Sequence, residues 1–104
     1  MTRWPALQGR RDSNEPGIIA ALEAAGATVD QNPIGGGKPD LDVGYNGVNY
    51  KIEVKTMTGK LNAKQILWAS RWAGQKAVAR TPTEALEIIG VCVDLDCKCR
   101  SAGL

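Results

Sequence analysis

Apolar positions recur first as Ile18, Ile19, Leu22 and Ala25, the spacing of a single helix face. Asp12, Ser13 and Asn14 offer N-cap oxygens ahead of them, Pro16 suits a first turn, and Gly26 is a natural stop. A first helix is therefore expected over about 14–25. Residues 27–31 read as a short strand, and the Asn-Pro-Ile-Gly-Gly-Gly-Lys-Pro run at 32–39 reads as a loop. Period-two alternation then takes over around Asn46-Gly47, the preferred pair for a two-residue type I′ turn. That turn sets a register in which Tyr45 faces Val48, Val43 faces Tyr50 and Leu41 faces Ile52. These positions and Val54 share one apolar face. The opposite face places Asp42 against Lys51 and Asp40 against Glu53, with Lys55 two residues further on. Asn62 is expected to cap a second helix over 63–73, ended by Gly74, with Ile66, Leu67, Trp68, Ala69, Trp72 and Ala73 as its apolar surface. Residues 77–80 read as a fourth strand, Thr83 as the cap of a short helix over 84–89, and 91–93 as a last strand or tail. The order α-β-β-β-α-β-α predicts an α/β fold in which helices pack on one mixed sheet.

A chain of 104 residues predicts one domain, and 43% hydrophobic with 23% charged residues is ordinary for a globular protein. No apolar run approaches the roughly 20 residues needed to span a bilayer, and the first 11 residues lack a signal-peptide core. A cytoplasmic protein is expected, with no membrane partner. The chain has no histidine, which excludes His-based triads, imidazole metal sites and His general bases. Three cysteines, Cys92, Cys97 and Cys99, argue against a disulfide framework and lack the fourth ligand of a usual zinc site. They read as reduced structural or tail thiols. The net charge of +2 is small, but residues 38–80 carry eight basic and three acidic side chains. That excess suits phosphate, although charge runs are commonly just solvated surface.

Asp40 and Glu53 are the informative pair. Carboxylates directly opposed across an antiparallel ladder repel, and a hard dication with oxygen ligands reverses that penalty. The plainer alternative makes Asp40, Asp42, Lys51, Glu53 and Lys55 the solvated face of an amphipathic hairpin. Glu15 falls on the core-facing stripe of the first helix, either as a first-turn acid favoured by the helix dipole or as a group aimed at a site. Gln65 is either the third residue of a capping box begun by Asn62 or a side chain facing that site.

In order, Lys38-Pro39-Asp40, twelve intervening residues and Glu53-Val54-Lys55 resemble the PD-(D/E)XK nuclease motif. Within that superfamily the chain is similar to the VRR-Nuc group (virus-type replication–repair nucleases), including stand-alone phage versions. The resemblance rests on the helix acid Glu15, Gly35-Gly36-Gly37 running into Pro39-Asp40, the Glu53-Val54-Lys55 strand and Leu61-Asn62-Ala63-Lys64-Gln65. It covers residues 13–90, the core of a single nuclease domain with a basic arm (1–12) and a tail (91–104) outside the match. It implies a restriction-endonuclease-like core and a metal-dependent endodeoxyribonuclease, selective for branched DNA such as Holliday junctions, in a bacterial or phage-infected cell. A homodimer is expected because 104 residues offer one small catalytic face and cutting a branched junction calls for two sites related by symmetry. It implies that Asp40, Glu53 and the Val54 carbonyl hold Mg²⁺ or Mn²⁺, with Glu15 reaching that ion through water or holding a second one. Lys55 would orient the attacking hydroxide and stabilise the pentacovalent phosphate, and Gln65 would bond the water or a phosphate oxygen. Lys38, Lys51, Lys60, Lys64 and Arg71 are the candidate DNA contacts. The alternatives are a flap- or restriction-type nuclease with the same site, or a DNA-binding module without turnover.

Overall fold

The computed structural model describes residues 11–91. The chain runs α1 (Glu15–Ala24), β1 (Thr28–Gln31), β2 (Leu41–Tyr45), β3 (Val48–Val54), α2 (Ala63–Arg71), β4 (Lys76–Ala79) and α3 (Pro82–Ile88). The sheet order is β1-β2-β3-β4, with the first two pairings antiparallel and β3–β4 parallel. This is the α/β arrangement with a mixed sheet that the pattern predicts. Cys92, Cys97 and Cys99, most of the basic arm and the possible strand at 91–93 lie outside the described residues, apart from Val91, which is not in a strand.

The turn chemistry acts as expected. Asn46 and Gly47 both have positive φ, 54° and 79°, the twist a type I′ turn requires. The register follows, with Leu41 paired to Ile52, Val43 to Tyr50 and Tyr45 to Val48. Leu41, Val43, Ile52 and Val54 are buried with Ile18 and Leu22 of α1, Ala79 of β4, and Ala85 and Ile89. One face of the sheet thus packs on α1 and α3. The other face is crossed by α2, the connection that lets β4 lie parallel to β3.

Two helix starts differ from expectation. Asn14 caps nothing with its side chain. Its amide instead donates to the carbonyls of Lys55 (2.9 Å) and Arg80 (2.8 Å), pinning the start of α1 to the ends of β3 and β4. The cap of α3 is Thr81, not Thr83, because its hydroxyl accepts from the Glu84 amide at 3.0 Å while Pro82 fills the first turn. Helix α2 also departs from a core helix. None of its residues is buried, Ile66 and Leu67 are 56% and 61% exposed, and Trp68 stacks on Trp72 at 5.0 Å. Among the described residues no helix is long and apolar enough to cross a membrane.

Candidate functional site

Asp40 precedes β2 by one residue, so the pairing of Leu41 with Ile52 brings it opposite Glu53. Its Oδ2 accepts the Val54 amide at 2.9 Å, closing the open end of the hairpin with a side chain. Glu53 points away from the apolar core yet is only 6% exposed, because α2 lies over it. Its Oε2 accepts from Gln65 Nε2 at 3.0 Å and lies 3.6 Å from Lys55 Nζ. Its Oε1 is buried and has no hydrogen-bond partner among the described residues. Burial first, then the charge of Asp40 and a hydrogen bond with its carboxyl, push Glu53 up to about 8, while Lys55 pulls the other way. The solvated-hairpin alternative therefore fails at Glu53 and holds only further along, where Lys51 pairs with the half-exposed Asp42 at 2.9 Å.

Gln65 fills both roles that the spacing left open. Its Oε1 accepts the Asn62 amide and its backbone amide donates to Asn62 Oδ1, each at 2.9 Å, completing the capping box. The remaining Nε2 reaches Glu53. The start of α2 is thus rigidly tied to the carboxylate it serves. Gly37 supports the same turn from the loop side. Its φ is +84°, and a Cβ there would come within 2.5 Å of the Lys64 carbonyl oxygen. Gly37→Ala is expected to push the first turn of α2 outward and to slow any chemistry at the site by about tenfold, since small misplacements of catalytic groups are costly. Backbone chemical shifts of residues 62–66 check the displacement, with circular dichroism confirming that the rest is folded.

Glu15 is 1% exposed, as its place on the core-facing stripe requires, but it does not border the cleft beside Asp40 and Glu53. Its Oε2 accepts from Arg11 Nη1 at 2.9 Å and from Gln31 Nε2 at 2.8 Å, and its Oε1 is buried without a partner among the described residues. Arg11 was not expected here. Its guanidinium also bonds the Asn32 carbonyl and lies 3.9 Å from Asp40 Oδ1, so a cation stands between the two acids. Arg11 precedes α1, so no helical spacing in the sequence points to this contact.

The cleft itself, about 350 Å³, is bordered by Gly35, Gly36, Gly37, Lys38, Asp40, Glu53, Val54, Lys55, Lys64 and Gln65. Of the candidate DNA contacts, Lys38 and Lys64 therefore border the site. Lys51 does not: its ammonium pairs with Asp42 and sits 5.1 Å from the Trp72 ring centroid. Lys60 and Arg71 are exposed and away from the cleft lining. Among the described residues no three acidic or cysteine side chains converge tightly enough to hold an ion unaided. Asp40 and Glu53 nevertheless fit a hard dication. They are opposed, one buried oxygen lacks a donor among the described residues, and Mg²⁺ commonly takes one or two carboxylates and completes its shell with water and phosphate. No known protein family, curated protein or solved structure matches the chain.

Proposed function

We propose that this protein is a metal-dependent DNA endonuclease of the PD-(D/E)XK type, related to the VRR-Nuc group, that hydrolyses phosphodiester bonds in branched DNA as a homodimer. The reading rests on one observation above all. Asp40 and Glu53 face each other at the end of a hairpin, one oxygen of Glu53 is buried with no donor among the described residues, and Lys55 and Gln65 touch the same group.

In this reading Asp40 and Glu53, with the Val54 carbonyl, hold Mg²⁺ or Mn²⁺. When bound, such an ion polarises the scissile phosphate and acidifies a coordinated water. The chain's own groups do the rest. Lys55 presents a fixed positive charge to the developing pentacovalent phosphate. Gln65 keeps Glu53 in place, and Lys38 and Lys64 attract the backbone on either side of the cleft. Glu15 acts through Arg11 and Gln31, holding that end of the site together.

Lys55→Ala is expected to slow cleavage by about a hundredfold, the usual cost of removing one donor aimed at developing charge. Its half-saturating Mn²⁺ concentration should change little, because Lys55 is not a ligand. Single-turnover rates measured across a Mn²⁺ titration separate the two effects. The test of the whole reading is nicking of supercoiled plasmid in Mg²⁺, Mn²⁺ or EDTA, followed by a panel of junctions, flaps and linear duplexes. Nicking abolished by EDTA supports it, and no nicking with either ion overturns it.

A DNA-binding module without turnover is the second reading, and Arg11 is what favours it. A guanidinium between Glu15 and Asp40 neutralises acids that an ion would otherwise neutralise.

A further inference from the structure

A second cavity, about 250 Å³, lies between α2 and the sheet and opens beside the carboxylate pair. It shares Gly37, Glu53 and Gln65 with the cleft that holds Asp40 and Lys55. Its remaining walls are almost wholly apolar, formed by Leu61, Trp68 and Ala69 on one side and Ala77 and Val78 on the other. Lys76 stands at its edge and donates to the Trp72 carbonyl at 2.6 Å.

We propose that this cavity receives one unstacked nucleobase from the strand being cut, which makes DNA with unpaired nucleotides the preferred substrate. The inference rests on the nuclease reading above and names its substrate class. Size is the first argument. A dry cavity of roughly 150 Å³ already admits benzene, whereas drug-sized pockets begin near 300 Å³, so this space suits a single base. Chemistry is the second. Trp68 offers an aromatic face, already held by its stack on Trp72 at 5.0 Å, and bases stack on such faces whatever their sequence. Charge is the third. Lys38, Lys64 and Lys76 border the two cavities and none of them forms an ion pair among the described residues, so Lys38 and Lys64 can meet the phosphates flanking an inserted base, while Lys76, held by the Trp72 carbonyl, adds positive charge at the edge.

Adjacency supplies the link to catalysis, since Gly37, Glu53 and Gln65 border both cavities. A base seated against Trp68 leaves its own phosphate beside Glu53 and Gln65. Extruding a base from a perfect duplex costs unpairing and unstacking, and the cost is least where the base is already unpaired. Flap and bulge substrates meet that condition, whereas intact duplex and the fully paired arms of a four-way junction do not.

The test compares two labelled duplexes by fluorescence anisotropy in Ca²⁺, which takes the same oxygen ligands. One carries a single unpaired nucleotide, the other an unpaired abasic residue at the same place. The base-bearing bulge should bind about tenfold more tightly, the size of one stacking contact. Ala69→Leu, which fills the cavity from α2, should erase that difference, and Trp68→Phe, which keeps an aromatic face, should retain it. Circular dichroism melts establish that Ala69→Leu is folded, and Ala77→Val fills the space from β4 if it is not. Equal affinity for the two bulges, or discrimination that survives in a folded, filled variant, overturns the proposal. Plasmid nicking without base discrimination leaves the nuclease reading standing and removes this one. Base discrimination without nicking does the reverse.

Discussion

Glu53→Gln is expected to yield a protein more stable than its parent and at least about a thousandfold slower at cutting DNA. The two effects share one cause. Glu53 is buried, faces Asp40, and keeps one oxygen with no donor among the described residues. A carboxylate in that setting destabilises the fold without a cation, because burial and like charge both oppose its ionisation. Glutamine has the same shape and no charge. Its carbonyl can still accept from Gln65, and its amide can donate to Asp40. The same change removes a ligand for the dication, and losing several kcal/mol of charge stabilisation corresponds to a rate loss of about that size. Asp40→Asn should stop cleavage in the same way while keeping an acceptor for the Val54 amide. DNA binding by both variants should be largely intact, since Lys38 and Lys64 are untouched. Melting in EDTA at pH 8 and plasmid nicking in Mg²⁺, run on the same preparations, give the two readings. Cleavage by either variant at the parental rate would reject the assignment of these carboxylates.

That Glu53 meets Asp40 was legible in the sequence because Asn46-Gly47 leaves little choice of turn, and a two-residue turn dictates which residues oppose each other. The alternation around it then sorted Leu41, Val43, Ile52 and Val54 inward. Other features escaped for physical reasons that differ from case to case. Apolar spacing in α2 marked a helix but not which side meets the sheet, and Ile66 and Leu67 face outward. The burial of Glu53 depends on α2 lying over a face that β3 alone presents as charged, which is tertiary information. Arg11 sits in a stretch with no periodicity, and its contacts with Asn32 and Asp40 span long loops. Asn14 matched an N-cap by type, but two carbonyls at the strand ends compete for its amide, and they win. Spacing alone offers Gln65 two roles as alternatives, but its side chain has two ends, one for each.

The pH dependence of the metal-free protein follows from the same pair and carries the opposite sign to that of most carboxylates. Glu53 is pushed from the usual 4.5 up to about 8 in the folded state, by burial first and by Asp40 second. The folded protein therefore keeps a proton that the unfolded chain has released over the interval between those values. Where the native state binds more protons, stability falls as pH rises, by about 1.4 kcal/mol per unit for one proton. The contribution of Glu53 is fully present below about pH 4.5, declines through neutrality and is lost above about pH 8. Through this group alone the melting temperature should fall as pH rises between about 5.5 and 7.5, by several degrees across that interval. Other groups titrate as well, so the informative quantity is the difference between the parent and Glu53→Gln, which lacks the proton in question. That difference should be smallest at acid pH and widen steadily toward pH 8 in EDTA. Mn²⁺ at saturating concentration should narrow it at pH 8, because an ion that binds only the folded parent stabilises it by mass action. Parallel melting curves at every pH would mean that Glu53 ionises freely, and the strained carboxylate pair would lose its physical basis.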